Sequence, residues 1–283
     1  MKLHYYNGKN TSLKVSNFGD ELNPWLWNKL IPDLLIHKNK TLFVGIGTLL
    51  NSKLPKAANK VVFGAGVGYG EPPKIDSTYK IYFVRGKLSA QALKLDAELG
   101  LTDPAILIRK FCTPSERKQY KWSYMPHFSE AIHNGLALKE ICHSLNIHYI
   151  DPTSSLEQVL AEIDKSETLF SEAMHGAIVA DALRIPWVPV KMREGILAFK
   201  WQDWLSSINI SYKPVYVHRA ASLIGKKGFL RYCDYQSIRT QMLFMVRSSK
   251  PNLSSLKRCE ELEEKVLLKL EAVKSDFTQG LLD

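Results

Sequence analysis

The chain has 283 residues, 45% of them apolar, with a net charge of +10 and four cysteines. That is apolar material for one large core or two cores of ~100–150 residues each. No run of 18 uncharged apolar residues marks a membrane span. The opening MKLHYYNGKN lacks the apolar core of a secretory leader, and Cys112, Cys142, Cys233 and Cys259 make no CxxC or zinc spacing, so reduced cytosolic thiols are expected.

In chain order, Lys2–Tyr6 reads as a first short strand. Leu22–Leu35 has apolar residues at helical spacing, with breaks expected at Pro24 and Pro32. Thr41–Val44, Lys60–Phe63 and Lys80–Val84 are short apolar runs, each closed by a glycine (Gly45, Gly64, Gly86) directly or one residue later. Such runs are the pattern of buried parallel strands with loops at their carboxyl ends. Ser89–Leu99 predicts an amphipathic helix stopped by Gly100.

A second set starts near Lys121. Strands are expected at Trp122–Met125, Ile147–Ile150, Thr168–Phe170 and Ile185–Val190. Helices are expected between them at Ala131–Leu145, Ser154–Ile163 and Glu172–Arg184. The alternation is that of a layered α/β domain. The expectation is an N-terminal Rossmann-like domain over 1–115, a second over 116–210, and a basic helical segment over 211–283. Between Lys213 and Arg258 stand ten Lys/Arg and one acid, Asp234. Leu223, Ile224, Phe229, Leu230, Leu243, Phe244, Met245 and Val246 are interleaved with them. That mixture suits an anionic membrane surface or a solvated basic face; no nucleic-acid motif accompanies it.

Two facing α/β domains leave a cleft at the carboxyl ends of their strands, where ligands bind. Asn17, Gly19 and Asp20, in Ser16–Asn23, can hold a phosphate or sugar hydroxyl before a helix, or form a plain turn with an N-cap. Gly64–Gly70 (GAGVGYG) follows a strand like a dinucleotide fingerprint, but Glu71-Pro72-Pro73 stands where the helix should open, so that reading is rejected. Gly66 then belongs to a wall approached by ligand or to a flexible turn. Arg85 ends a strand, where its guanidinium grips a carboxylate or phosphate, or makes a structural salt bridge. His127 follows another strand end, as an acid/base group or a surface histidine. His175 sits in the first turn of a helix whose N-terminus favours anions, with Gly176 beside it permitting close approach. It suits a general base or a phosphate donor. No Asp-x-Asp, HExxH, Walker A or Gly-x-Ser-x-Gly pattern occurs.

Several of these pieces together resemble the polysaccharide pyruvyl transferases, especially the bacterial exopolysaccharide ketal-pyruvate transferases. They are Asn17-Phe18-Gly19-Asp20, Phe43–Thr48, Phe63–Gly70, Phe83-Val84-Arg85-Gly86, Thr102-Asp103-Pro104-Ala105, Pro126-His127, Ser171–Val190 and Phe199–Trp204. They span about residues 15–205, and Met174-His175-Gly176-Ala177 is the most specific. The resemblance implies a glycosyltransferase-B-like pair of Rossmann-like domains around a cleft. It implies transfer of pyruvate from phosphoenolpyruvate onto two hydroxyls of a hexose, making a cyclic ketal, with no cofactor and no metal. His175 aligns with the histidine of the family's Ser-x-Arg-Leu-His motif. Ala173 replaces the arginine of many relatives, and Arg85, Lys200 and Arg193, in that order, are the expected substitutes. Asp20 is expected to orient or deprotonate the acceptor, and His127 is a second acid/base candidate. The acceptor implied is a saccharide, often lipid-linked, handled at the cytoplasmic leaflet. A nucleotide-sugar glycosyltransferase of the same fold and an inactive scaffold are the alternatives.

Overall fold

The computed structural model describes residues 1–8, 15–36, 40–192, 195–218 and 228–282, without the side chains of 228–231. A first parallel sheet runs β1 (Lys2–His4), β2 (Thr41–Val44), β3 (Asn59–Phe63), β4 (Tyr79–Phe83), in that spatial order. Every residue of β2 is buried, which is why TLFV shows no polar alternation: both faces of the sheet are covered. The second sheet is also parallel, in the order β6 (His148–Tyr149), β5 (Ser123–Met125), β7 (Leu169–Ser171), β8 (Trp187–Lys191), β9 (Val215–Tyr216). Strand order reverses around β5, so the loops after β5 and β7 flank a topological switch point, the place where such sheets bind ligands.

The helix α1 (Phe18–Leu30) runs straight through Pro24, where a break was expected. Proline leaves the carbonyl of Asp20 without its helical N–H, and the Asn23 amide reaches that carbonyl instead at 3.4 Å. Pro32 does interrupt, opening the short α2 (Pro32–Ile36). The helix expected over Ser89–Leu99 is shorter: α3 covers Lys87–Ala92, and a 3₁₀ turn follows at Ala97–Leu99. Lys94 takes a left-handed φ of +57°, which ends the helical ladder. Gly100 serves a close approach there, since a Cβ would stand 2.7 Å from the Gly86 backbone.

The second sheet carries α4 (Phe128–Ser144), α5 (Leu156–Asp164, capped by Ser155) and α6 (Met174–Ala182). A seven-residue 3₁₀ segment, Pro104–Lys110, packs its Ala105, Leu107 and Ile108 into one apolar cluster with Met174, Ala177 and Ile178 of α6. That cluster also takes in Phe18, Leu22 and Leu26 of α1, so a single core joins the two sheets. The helix α7 (Ala198–Ile208) follows the second sheet in sequence but docks beside α3.

Residues beyond 210 are shared between the halves. The helix α8 (Gly228–Ser248) sets Ile238, Met242, Met245 and Val246 into the core of the second sheet, beside Phe170 and Val188. Met245 and Val246 are therefore core residues and not part of a membrane-facing surface; Phe244 is exposed. Leu223, Ile224 and the side chains of Phe229 and Leu230 lie outside the described residues. The helix α9 (Leu256–Thr278) returns to the first sheet. Its Asp276 pairs with Lys80 at 2.8 Å and accepts from the Tyr82 hydroxyl. Among the described residues no helix is long and apolar enough to cross a membrane.

Candidate functional site

A cavity of about 560 Å³ opens between the carboxyl ends of the two sheets. Its first-half wall comes from Tyr5 and Tyr6 after β1, Asn17–Asp20 at the start of α1, Gly47–Leu49 after β2, and Tyr69 after β3. Its opposite wall comes from Met125, His127 and Phe128 after β5 and from Ala173–His175 after β7, with Lys200 of α7. Parallel strands put all their carboxyl-end loops along one edge, and that alone gathers residues so far apart in sequence.

Asn23 sets the position of α1. Its Oδ1 accepts from the Ile46 N–H at 2.9 Å and the Trp27 indole at 3.1 Å, and its amide donates to the Ile46 carbonyl at 2.9 Å. The helix start is thereby held against the loop after β2. Asn17 stands at the N-cap, yet its side chain makes no capping bond. It donates instead to the Asp20 carboxylate at 2.6 Å. Burial pushes the Asp20 carboxyl up to about 6, against the Asn17 hydrogen bond and the charges of His175 and Lys200. Such a carboxyl exchanges its proton near neutral pH.

His175 lies across from Gly19. A Cβ at residue 19 would stand 2.3 Å from its Nδ1, so glycine there is what lets the imidazole approach α1. The other ring nitrogen, Nε2, is buried without a hydrogen-bond partner and lies 3.6 Å from Asp103 Oδ2, itself buried and without one. Lys200 is nearly buried, and its Nζ donates to the Tyr69 hydroxyl at 3.3 Å. His127 caps α4: its Nδ1 accepts from the Ser129 N–H at 3.3 Å and meets Ser129 Oγ at 2.9 Å. The His127 backbone N–H donates to Glu172 Oε2 at 3.1 Å. Glu172 also accepts from Met192 N–H at 2.6 Å and the Tyr124 hydroxyl at 3.2 Å. Burial outweighs these three bonds and pushes the Glu172 carboxyl up to about 7.

Asn17, Gly19, Asp20, His127, His175 and Lys200 thus meet in the cavity. Three other sequence candidates are placed differently. Arg85 is fully buried, with Nε on Asp203 at 3.0 Å, a second nitrogen on Thr48 Oγ1 at 2.8 Å and a third on the Val67 carbonyl at 3.0 Å. Each nitrogen has a protein partner and the side chain does not line the cavity, so here Arg85 forms a structural salt bridge and holds the wall residue Thr48. Gly66 makes room for Arg85, since a Cβ would stand 2.4 Å from the guanidinium carbon; the approaching group is Arg85 and not a ligand. Gly176 faces inward, 2.6 Å from Met125 Sδ and 2.7 Å from Ser171 Oγ for an added Cβ, so it lets α6 press onto β5 and β7. Arg193 lies outside the described residues. Lys53, Asp103 and Glu172 carried no assigned role in the sequence. Lys53 lines the cavity as a further cation.

The family model described as polysaccharide pyruvyl transferase matches residues 4–192. The chain belongs to the polysaccharide pyruvyl transferase family. Over 218 residues it is 40% identical to the succinoglycan biosynthesis protein ExoV of Rhizobium meliloti (strain 1021), covering 76% of this chain and 67% of that protein. In this pyruvyl transferase the matched stretch contains His175, Asp20 and His127 but stops short of Lys200. The cation that completes the cavity therefore comes from the helix just beyond it.

Proposed function

We propose that the protein transfers pyruvate from phosphoenolpyruvate onto two hydroxyls of one hexose in an exopolysaccharide unit, forming a cyclic ketal. Family membership supports pyruvyl transfer, and the name of its relative supports an exopolysaccharide product. The observation that carries the reading is the convergence on one cavity of Asp20 from one wall with His175 and Lys200 from the other. The donor carries a carboxylate and a phosphate, so it needs cations where charge develops and a group that moves protons near neutral pH. Lys200 and Lys53 supply the cations. The aromatic rim of Tyr5, Tyr6 and Tyr69 suits a sugar ring at the mouth.

In the reaction the donor methylene gains a proton, and a sugar hydroxyl attacks the resulting oxocarbenium carbon. The C–O bond to phosphate breaks, and the second hydroxyl closes the ketal. Two hydroxyl protons are lost; one ends on the new methyl group and the other on phosphate. His175 and Asp20 flank the place where these protons move. The two sheets around one cleft, with α9 returning to the first, fit a glycosyltransferase-B-like arrangement. Work at the inner membrane leaflet on a lipid-linked acceptor belongs to the same proposal, supported by the basic stretch Lys213–Arg258.

The test is thermal stability with phosphoenolpyruvate or with nucleotide sugars, on the wild type, His175→Gln and Lys200→Met, followed by phosphate release with acceptor. A ligand of the folded state raises Tm by mass action. Phosphoenolpyruvate is expected to raise Tm in the wild type and less in Lys200→Met. Turnover is expected to vanish in His175→Gln while its Tm holds. A shift with nucleotide sugars alone would replace the proposal with glycosyl transfer.

A further inference from the structure

We infer that Asp103 is a positioning residue that fixes the tautomer of His175. The inference rests on the reading of His175 as a proton-transfer group. Asp103 Oδ2 and His175 Nε2 are both buried, both lack a hydrogen-bond partner, and face each other at 3.6 Å. Buried polar atoms are almost always paired, and two orphans opposed across a fraction of an ångström of slack are each other's partners. A carboxylate only accepts, so its partner nitrogen must carry the proton. With the proton on Nε2, Nδ1 is a bare acceptor. Nδ1 is the nitrogen that borders Gly19, in the helix turn that carries Asp20. The ring is thereby set as a base on the cavity side.

The carboxylate is held for this role. Asp103 Oδ1 accepts from the Ala105 N–H at 3.0 Å, capping the 3₁₀ segment. Pro104 is locked against the turn after β3: Gly64 has φ +86°, and a Cβ there would stand 2.4 Å from the proline ring. Thr102 Oγ1 meets Ser207 Oγ at 3.0 Å on the other side. Asp103 belongs to the first half of the chain and His175 to the second. The dyad therefore forms only when the two sheets are in register, and it ties the histidine's chemistry to their docking.

Asp103→Asn tests the pairing. The amide retains an oxygen for the Ala105 N–H but turns an N–H donor toward Nε2, forcing the histidine proton onto Nδ1. The readout is the long-range ¹H–¹⁵N spectrum of ¹⁵N-histidine-labelled full-length protein, at a pH where the ring is neutral. The His175 signals are assigned by their loss in His175→Gln. The wild type is expected to show the Nε2–H tautomer and Asp103→Asn the Nδ1–H tautomer. With phosphoenolpyruvate and acceptor, kcat is expected to fall about 10²–10⁴-fold in the variant, as when the wrong tautomer is imposed on a catalytic histidine. An Nδ1–H tautomer in the wild type, which needs no Asp103 variant to fold, would overturn the inference. So would an unchanged tautomer in Asp103→Asn. The expected tautomers in a protein that turns over no phosphoenolpyruvate would uphold the pairing and remove the proposed reaction.

Discussion

Replacing Glu172 by glutamine separates the two forces acting on that side chain. Burial raises its carboxyl from the ordinary 4.5 to about 7. Well below pH 4.5 the folded and unfolded chains both hold the proton. Between about 4.5 and about 7 the folded chain keeps a proton that the unfolded chain has released, so stability falls as pH rises. At 1.36 kcal/mol per pH unit, the whole excursion is about 3 kcal/mol. The glutamine side chain has no such term. It turns an amide N–H toward either the His127 or the Met192 N–H and leaves one buried donor unmatched, a cost of about 1–3 kcal/mol. Glu172→Gln is therefore expected to be less stable than wild type near pH 4.5, with the gap closing or reversing by pH 8. Urea unfolding at half-unit pH steps gives both curves. Asp20, raised in the same direction, is present in both proteins and cancels in the difference. Parallel curves across this range would refute the argument and leave Glu172 charged and fully compensated by its three hydrogen bonds.

Asp203→Asn strands the fully buried Arg85 without its counter-charge, so stability is expected to drop by about 3–5 kcal/mol, and Tm by roughly 6–10 °C. KM for phosphoenolpyruvate should change little; an unchanged Tm with a raised KM would return Arg85 to the anion site. Gly19→Ala brings a Cβ to 2.3 Å from His175 Nδ1, so the ring must shift by about an ångström and turnover is expected to fall about 100-fold. Tm should hold, because Gly19 needs no left-handed φ and alanine suits the first turn of α1; wild-type turnover would show that the imidazole is not used where it stands.

Strand positions were legible because unbroken apolar runs ending in glycine have few other readings, and parallel topology then carries the following loops to one edge. This brought Asn17, Asp20, His127 and His175 to the cavity from sequence alone. The direction of a side chain at a strand end is not local information. Arg85 and the glycines around it resemble a ligand wall, but their partner is Asp203, in another motif 118 residues away. One signal was available: a lone aspartate between Trp201 and Trp204 sits where two tryptophans favour burial, and a buried carboxylate needs a cation. Pro24 misled for a different reason: the compensating bond comes from the side chain of the adjacent Asn23 and not from the backbone. Asp103 had only its place in a Thr-Asp-Pro-Ala sequence; the structure shows it capping the 3₁₀ segment, and its second oxygen acquires meaning only against α6.

The bonds that join distant parts of the chain are not spread evenly. The Phe18 N–H donates to the Pro152 carbonyl at 2.9 Å, between the residues Asn17 and Gly19 of the cavity wall. Thr102 meets Ser207 one residue before Asp103. Asp203 takes Arg85 one helical turn below Lys200. Such a tether therefore stands within three residues of Asn17, Asp20, Asp103 and Lys200. Neither sheet alone holds both the imidazole and its carboxylates, so the chemistry depends on how the halves dock. A geometry accurate to a fraction of an ångström has to be fixed close to the groups that use it. That accounts for the mixture inside the Asn17–Asp20 and Phe199–Trp204 motifs, in which one residue faces the cavity and a near neighbour binds the other half.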